Sequence, residues 1–267
     1  NKTITLSPRY DELGHQILPK RTVHYDHLVI AIGSVSNDFN TPGIKDHCFY
    51  LDSNQQAERF QHALLDNFTR LHQDDDPLHS LNIAIVGGGA TGVELSAELY
   101  HVSDLLKIYG LTNMSAKRLH IHLIEAGPRI LPALSERIAS SAKRELLRLG
   151  VTVRENTQVK QATEHGFITN NDEQINADIM VWAAGVKAPD FIKELDIFEL
   201  TRSNQIKVND YLQSSLDSQI YVLGDCCAFT QDDGTQVPPR AQSAHQMAQC
   251  VEKNLIATLR EQPLKKF

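Results

Sequence analysis

One segment, Ile83–Glu98, limits what this chain can fold into more than any other. Its apolar run breaks at Gly87, Gly88 and Gly89, and apolar residues resume at helical spacing after Gly92. The residues before Gly87 are typical of a buried parallel strand, and those after Gly92 are typical of a helix that packs against it. The pattern therefore predicts a strand, a tight turn and a helix in direct succession.

The glycines of this turn form a Gly-x-Gly-x-x-Gly frame, in which each glycine has its own physical role. Gly87 permits the turn, Gly89 lets the backbone approach a pyrophosphate, and Gly92 lets the helix pack closely on the strand. The unpaired N–H groups of the first helical turn then attract the phosphates. A glycine-rich loop is the alternative, but the flanking strand and helix favour a dinucleotide-binding turn. The residues predicted to bind the dinucleotide here are Gly87, Gly88, Gly89, Thr91 and Gly92.

Glu125 is the candidate ligand for the ribose of that dinucleotide. It closes a second strand pattern, Leu119–Ile124, and is followed by a turn at 126–128. A carboxylate at this position accepts hydrogen bonds from ribose hydroxyls and repels a 2′-phosphate, which favours NAD over NADP. Arg129 leaves the strictness of this preference open, and a solvated strand end is the alternative role for Glu125. The acid lies further from the glycines than usual because residues 104–117 lengthen the helix and add a loop.

Length and charge limit the classes of protein to which the chain can belong. With 267 residues, of which 41% are hydrophobic, it is long enough to form two ordinary domains. Its net charge of −7 argues against DNA or RNA as a partner, because phosphate contacts need a concentrated basic face. The acidic run Asp74–Asp76 is interpreted as a solvated loop, and no metal site is predicted.

Cysteine spacing and hydropathy indicate the compartment. The four cysteines have no Cys-x-x-Cys spacing, which fits buried thiols in a reducing cytoplasm. No stretch approaches the roughly 18 apolar residues that a membrane-spanning helix needs, and the start does not resemble a signal peptide. The chain as given is therefore expected to be soluble.

The sequence is predicted to contain three stretches, namely 1–51, 52–190 and 191–267. The middle stretch holds the glycine turn and is expected to form the NAD(H)-binding domain. Apolar strands that end in glycine occur in both outer stretches, at Tyr25–Gly33 and at Ile220–Asp225, and neither fits the middle domain. We therefore expect the outer stretches to be two pieces of one further domain.

Two amphipathic helices are predicted in the middle stretch. The first covers 54–72, and the second begins after Ser135, a potential N-cap, and ends at Gly150, where a left-handed conformation is favoured. Their expected buried positions are Ala57, Phe60, Leu64 and Phe68 in the first helix and Ile138, Ala142, Leu146 and Leu149 in the second. A hairpin over 166–176 and a final helix over 241–259 complete the prediction.

Several motifs in a fixed order resemble the two-dinucleotide-fold flavoprotein reductases. They are Tyr25–Gly33, the glycine turn at 87–92, Trp182–Gly185 and Gly224–Asp225. In that superfamily a Rossmann-like NAD(H)-binding domain is inserted in an FAD-binding domain of similar βαβ type, and this is the α/β fold expected here. The FAD domain would be partial, because the chain starts in its middle. For Gly224–Asp225 alone, a common turn is the alternative.

The resemblance also implies cofactor-binding residues. Asp225 matches the carboxylate that hydrogen-bonds the ribityl or pyrophosphate region of FAD. The same comparison places Ala31, Gly33 and Gly224 on the flavin side, and Ala184 and Gly185 beside the nicotinamide.

Within the superfamily, the chain resembles the bacterial type II NADH dehydrogenases along nearly its whole length. These are single-subunit, non-proton-pumping NADH:quinone oxidoreductases of the respiratory chain, and Pro238–Met247 carries their signature. The resemblance implies a helix whose N-terminus faces FAD and whose glutamines meet quinone, although an ordinary helix start is the alternative. It assigns FAD contacts to Ala241 and Gln242 and catalytic roles to Glu94, Gln242 and Gln246. For Glu94 the alternative is an ordinary helix carboxylate.

Family members begin with a glycine-rich FAD-binding strand and end with a segment that seats them on the membrane, and neither is found here. The chain is therefore interpreted as an internal piece of an enzyme at the cytoplasmic face of the bacterial inner membrane. Its expected partners are NADH, quinone and, through parts outside this chain, the membrane surface, with a second copy as a candidate for a homodimer. Whether the piece alone retains FAD or activity is left open.

Two other functions compete with this interpretation: a flavin-dependent disulfide reductase or another NADH-flavin reductase, and a binding module without activity of its own. A flavin-dependent disulfide reductase needs a redox-active cysteine pair; a thioredoxin-reductase pair is absent, and a glutathione-reductase pair would precede residue 1. The Ala-Gln-x-Ala-x-Gln pattern at 241–246 favours the quinone enzyme over the disulfide reductase. The third candidate is an NAD(H)-binding module that is inactive in isolation.

Overall fold

The computed structural model describes residues 2–74, 76, 78–108 and 118–267. In chain order its strands are β1 (Thr3–Leu6), β2 (Arg9–Tyr10), β3 (Gln16–Leu18), β4 (Arg21–His24), β5 (Leu28–Ile30), β6 (Val35–Ser36), β7 (Leu81–Val86), β8 (Leu119–Ile124), β9 (Thr152–Arg154), β10 (Val159–Thr163), β11 (Gly166–Thr169), β12 (Gln174–Asn176), β13 (Ile179–Trp182), β14 (Val186–Lys187), β15 (Ile206–Lys207), β16 (Ile220–Val222) and β17 (Cys227–Ala228). The α-helices are α1 (Ile44–His47), α2 (Asn54–Gln73), α3 (Ala90–Ile108), α4 (Glu136–Leu149), α5 (Phe191–Glu194) and α6 (Ala241–Leu259), and a 3-10 helix covers Gly224–Cys226.

The chain forms two compact units. The central unit is Ser36–Val186, and the flanking unit combines Asn1–Val35 with Lys187–Phe267. These limits differ from the predicted 52–190, because the residues before α2 join the central sheet. Phe49 donates its N–H to Met180 O (2.8 Å) and accepts from Trp182 N–H (2.9 Å), so it extends the sheet beside β13.

The central unit is built on a parallel sheet. Among the described residues its strand order is β13-β7-β8-β9, and all neighbouring strands are parallel. α3 connects β7 to β8 and α4 connects β8 to β9, whereas β13 lies on the other side of β7. The strand order therefore reverses at β7, and such a switch point is where α/β sheets open a ligand crevice.

Each face of this sheet buries its own apolar cluster. On one face the helices α2, α3 and α4 contribute side chains such as Phe68, Leu99 and Leu146. The other cluster joins Trp182 to Phe167 of the antiparallel β10-β11-β12 sheet, whose β11–β12 pair confirms the predicted hairpin. Each large apolar side chain buried in this way contributes about 1.5–3 kcal/mol. The strand ends that carry the predicted site are thus set on a well-packed support.

The first predicted helix is confirmed as α2, with one change in its buried stripe. Ser53 caps it by accepting a hydrogen bond from Gln56 N–H (3.3 Å). The residues that α2 buries are Phe60, Leu64, Phe68 and Leu71. Ala57 was expected in this stripe but is exposed, since burial begins one turn further along the helix.

The second predicted helix is confirmed as α4, but its stripe begins one residue later than expected. Ile138 is 51% exposed and Ala139 is buried in its place. These two positions precede Ala142 by four and three residues, and both spacings suit one helix face, so periodicity alone does not choose between them. Gly150 has the predicted left-handed conformation (φ 102°), whereas Ser135 makes no side-chain cap. Within the predicted extension at 104–117, α3 continues to Ile108, and the rest of the prediction falls on 109–117, outside the described residues.

The flanking unit contains a short parallel pair formed by strands that are distant in sequence. β5 and β16 pair with Leu28 opposite Ile220 and Ile30 opposite Val222. Because the two strands are parallel, the segments that follow them leave at the same edge. The unit also contains the antiparallel pairs β1–β4 and β2–β3, and α6 packs its Met247 and Val251 into the unit's buried cluster.

None of the helices in the described part of the chain combines the length and the apolar character that a bilayer crossing requires.

Candidate functional site

The glycine turn follows β7 at the switch point of the central sheet. Gly87 has a φ of 117°, and a Cβ added to it would lie 2.6 Å from the carbonyl carbon of Ala183. A Cβ on Gly92 would lie only 2.0 Å from the carbonyl oxygen of Gly87. Since backbone atoms cannot yield such space, both positions require glycine for the strand, turn and helix to meet as they do.

The outer part of the turn is open. Gly89 and Thr91 are exposed, and a Cβ added to Gly89 would meet no atom within 4 Å. The helix α3 begins beside it at Ala90, so the first N–H groups of the helix face this free space. The arrangement leaves room for an anionic group to approach the backbone.

Glu125 is anchored beside the turn and is not a freely solvated strand end. Its Oε2 accepts a hydrogen bond from Gly88 N–H (2.7 Å) and its Oε1 accepts one from Gly127 N–H (2.6 Å). The carboxylate is thereby fixed at the end of β8, next to the glycines. Sequence spacing places Glu125 near the turn, but it does not reveal these two backbone donors.

Arg129, which left the nucleotide preference open in the sequence, is engaged within its own loop. Its guanidinium donates to the carbonyl oxygens of Leu131 (3.3 Å), Pro132 (2.9 Å) and Leu134 (3.0 Å). Three of its N–H groups are therefore bound to backbone acceptors of its own loop.

A groove of about 280 Å³ opens at the carboxyl ends of the central strands. It brings the predicted Gly87, Glu125 and Ala184 together. Lining residues that the sequence analysis did not assign to the site include Phe39, Thr41, Thr157 and Trp182. The indole N–H of Trp182 donates to the carbonyl oxygen of Asn37 (2.8 Å), so the ring position is fixed. Their only sequence signal is the Trp182–Gly185 motif, which names Trp182 but not the other three.

Two residues predicted to lie near the nicotinamide, Gly185 and Glu94, do not line this groove. Gly185 has a φ of 69°, and a Cβ on it would lie 2.6 Å from the Phe39 ring. It therefore bears on the groove through Phe39, which is itself a lining residue. Glu94 is exposed in the second turn of α3.

The flanking unit brings the predicted flavin-side residues to one edge. Ala31 and Gly33 follow β5, and Gly224 and Asp225 follow its parallel neighbour β16. Asp225 Oδ2 accepts a hydrogen bond from Ser34 Oγ at 2.8 Å. Ser34 was not predicted; its position directly after Gly33 is the only signal that the sequence offers.

α6 begins at the signature motif in this unit. Ala241 is its first residue, and no side chain caps its N-terminus. The Ala244 side chain lies 3.6 Å from the position that a Cβ on Gly224 would take, so the helix start and the 3-10 helix are neighbours. The predicted Gln242 and Gln246 are exposed on α6. His245, also exposed, lies 3.1 Å from the Gln249 side-chain nitrogen.

All four cysteines are free thiols, and burial disfavours their ionised form. Desolvation raises the pKa of Cys48 and that of Cys227 to about 12, and it also raises the pKa values of Cys226 and Cys250. The thiolate is the reactive form of cysteine, so these residues are poorly suited to disulfide chemistry at neutral pH.

We predict slow reaction of the folded protein with a thiol reagent such as dithionitrobenzoate at pH 8. With a pKa near 12, only about 10⁻⁴ of a thiol is ionised at this pH. Cys48 and Cys250 are both partly exposed, but burial raises the pKa of Cys48 to about 12, so Cys250 should react first; all four should react rapidly after denaturation. Fast reaction of Cys226 and Cys227 in the folded protein would contradict the prediction and restore the disulfide reductase as a candidate.

A parallel sheet with a glycine turn at its switch point and an acid at the end of the next strand defines a dinucleotide-binding protein of the Rossmann type. The predicted α/β fold class is confirmed. The sequence profile of the family described as pyridine nucleotide-disulphide oxidoreductase matches residues 6–248. The chain belongs to the pyridine nucleotide-disulphide oxidoreductase family.

Comparison with similar proteins identifies the members of this family that the chain resembles. The chain is 45% identical to a type II NADH:quinone oxidoreductase of Haemophilus influenzae, over 100% of this chain and 63% of that relative. It is 32% identical to a type II NADH:quinone oxidoreductase of Staphylococcus aureus, over 91% of this chain and 61% of the relative. A solved structure, NDH2 from Plasmodium falciparum in complex with NADH, matches with a TM-score of 0.72 and 25% identity, covering 85% of this chain and 47% of that one. The resemblance identified in the sequence is confirmed, and the chain spans less than two thirds of the length of these relatives.

Proposed function

We propose that this chain is the nucleotide-binding part of an FAD-dependent NADH:quinone oxidoreductase. The observation that carries the proposal is the Glu125 carboxylate, held 2.7 Å from Gly88 N in the glycine turn of a chain whose relatives are named for this activity. Those relatives also make the disulfide reductase the weaker candidate, as does the burial of the cysteines.

The central unit is proposed to bind NADH. The open backbone N–H groups around Gly89 donate hydrogen bonds to the pyrophosphate, and the Glu125 carboxylate accepts hydrogen bonds from the hydroxyls of the adenosine ribose. Ala184 and Gly185 take the nicotinamide side, as the family resemblance implies. Arg129 is occupied by carbonyl oxygens, which supports a preference for NADH over NADPH because no guanidinium is free in this loop to pair with a 2′-phosphate.

The residues of the flanking unit fit a flavin. The backbone is open at Gly33, where an added Cβ would meet no atom within 4 Å, and the uncapped α6 start supplies N–H groups and a positive dipole end. The Asp225 carboxylate, which Ser34 holds in place, is proposed to accept a hydrogen bond from a hydroxyl group in the ribityl or pyrophosphate region of FAD. Bound FAD supplies the redox chemistry that links a hydride donor to a quinone. The chain's own contribution is to position the reactants and to stabilise developing negative charge through α6.

Quinone is proposed to meet the exposed face of α6. Gln242 and Gln246 are four positions apart on the helix and are both exposed, so their side-chain amides can reach a common quinone oxygen. Glu94 is proposed to act near the nicotinamide in the complete protein.

The activity is tested by oxidation of NADH with a soluble quinone by the complete protein that contains this chain. The same assay with this chain alone and added FAD measures what the part retains. We expect quinone-dependent turnover with NADH in the complete protein. Reduction of artificial dyes without any quinone reduction would contradict the proposal.

We predict that Gln246→Ala impairs quinone reduction while NADH binding is unchanged. Loss of one hydrogen bond costs about 1 kcal/mol, so the KM for quinone should rise roughly fivefold. The readouts are steady-state kinetics with a soluble quinone and the Kd for NAD⁺. Gln249→Ala, an exposed glutamine one turn further along α6, is the matched control and should leave the quinone KM within about twofold of the wild-type value. Equal loss of quinone reduction and nucleotide binding in Gln246→Ala would contradict the assigned role.

The complete protein is proposed to act at the membrane surface, because a quinone is lipid-soluble, and on the cytoplasmic face, as the family resemblance implies. Co-sedimentation of the complete protein with liposomes tests this attachment. Sedimentation velocity tests the predicted homodimer.

A further inference from the structure

We propose that Gly88 and Gly127 act as positioning residues that set the preference for NADH over NADPH by clamping Glu125 between their backbone N–H groups. We call Gly88, Gly127 and Glu125 the glycine clamp. This inference rests on the proposed binding of NADH, and it assigns a role to two glycines that the glycine-turn motif does not explain.

The first observation is that both carboxylate oxygens of Glu125 are held. Gly88 N–H lies 2.7 Å from Oε2, and Gly127 N–H lies 2.6 Å from Oε1. Hydrogen bonds to an ionised acceptor are about twice as strong as those between neutral groups. The side chain therefore has one favoured orientation before any ligand arrives.

The second observation is that the clamp has no room for a side chain at either glycine. A Cβ on Gly88 would lie 2.9 Å from both Cβ and Oε2 of Glu125. A Cβ on Gly127 would lie 3.0 Å from Oε1. Neither glycine has a left-handed φ, so an alanine at either position would not strain the backbone. Its effect would come from steric contact with Glu125.

The third observation is that the surrounding backbone holds both donors in place. Gly88 accepts a hydrogen bond from Leu131 N–H (2.7 Å), and Gly127 accepts one from Asn156 N–H (2.8 Å). Between them, Ile130 N–H donates to Glu155 Oε1 (3.0 Å), and Glu155 also accepts from Lys143 (2.5 Å). The loop that carries Gly127 is thus tied both to the glycine turn and to β9's end.

The preference for NADH over NADPH follows from the fixed orientation of the Glu125 carboxylate. Each oxygen uses one lone pair for a backbone N–H and keeps another for a hydroxyl, so the pair can accept from both hydroxyls of a ribose. A 2′-phosphate, however, brings negative charge to the same place. A mobile glutamate could rotate to relieve this repulsion, whereas Glu125 would first have to break two charge-assisted hydrogen bonds.

The test compares the binding of NAD⁺ and NADP⁺ to the complete FAD-loaded protein by titration calorimetry. The measured quantity is the ratio of the Kd for NADP⁺ to the Kd for NAD⁺. We expect Gly88→Ala to lower this ratio roughly tenfold and Gly127→Ala to lower it less, because the carboxylate loses its fixed position. Gly89→Ala is the matched control: a Cβ there touches nothing, and any effect on the pyrophosphate is common to both nucleotides, so the ratio should stay within about twofold.

A double-mutant comparison separates the clamp from a general effect on the turn. In a Glu125→Ala background, adding Gly88→Ala should not change the ratio further. A second tenfold fall in that background would overturn the clamp, as would an unchanged ratio in both glycine variants with NAD⁺ binding intact. Melting temperatures identify any variant that fails to fold, in which case the milder Gly127→Ala decides. If the wild-type protein bound neither nucleotide, the proposed function would fail and the clamp's role with it.

Discussion

Gly92→Ala is expected to weaken NADH binding by about 100-fold and to lower the melting temperature. Its Cβ would lie 2.0 Å from the Gly87 carbonyl oxygen and 3.2 Å from Cδ1 of Leu123, so α3 has to move away from the turn. Overpacking of this kind costs about 1–3 kcal/mol of unfolding free energy. A shift of about 1 Å in groups that position a reactant can cost 100-fold, and we expect a loss of that order in NADH affinity. Calorimetry and thermal unfolding measure the two effects.

Gly89→Val is the control that separates folding from binding. A Cβ at Gly89 meets no atom within 4 Å and the residue has no left-handed φ, so this variant should unfold like the wild type. It should nevertheless bind NADH weakly, because the valine occupies the space through which the pyrophosphate approaches. Wild-type affinity in either variant would contradict the proposed position of the pyrophosphate.

Asp225→Ala is expected to lose most of the bound FAD and, with it, NADH oxidation. The carboxylate is held by Ser34 Oγ at the edge where β5 and β16 end, and it is proposed to accept a flavin hydroxyl. A hydrogen bond to a charged group contributes about 1.5–3 kcal/mol, which corresponds to a 10- to 100-fold loss of FAD affinity. The measurement is the molar ratio of flavin to purified complete protein, followed by titration with added FAD.

Two further variants make this result specific. Asp232→Ala removes the same charge from an exposed position of the flanking unit and should leave the flavin content unchanged. Ser34→Ala keeps the Asp225 carboxylate but removes the hydroxyl that holds it, so an intermediate loss of FAD is expected. Full flavin content in Asp225→Ala, or an equal loss in Asp232→Ala, would show that Asp225 has no direct role.

The parts of the site that were predictable from the sequence are formed by residues that follow one another in the chain. The strand, turn and helix around Gly87 and Gly92 follow from a change of period within one segment, and the structure has β7 and α3 there. Glu125 was found in the same way, as the end of an apolar strand pattern. The periodicity of apolar residues predicts such features because a strand, a turn and a helix each depend on residues that are close in sequence.

The remainder depends on contacts between distant residues. Phe39 and Trp182 meet in one groove although the chain between them is long, and the partners of Glu125 are backbone groups, which have no sequence signature. The limit of the central unit was placed too late because Phe49 joins the sheet edge by hydrogen bonds rather than by a recognisable strand pattern. Packing likewise decided between Ile138 and Ala139, which helical spacing leaves equivalent.

The hydrogen bond from Asn37 N–H to the Gly185 carbonyl oxygen (3.1 Å) joins the two ends of the central unit. A segment that leaves where it enters can be spliced into a host loop with a small entropic penalty, because its termini are already close together. The proposed NADH-binding unit therefore has the geometry of an insertion, since the chain enters it and leaves it side by side.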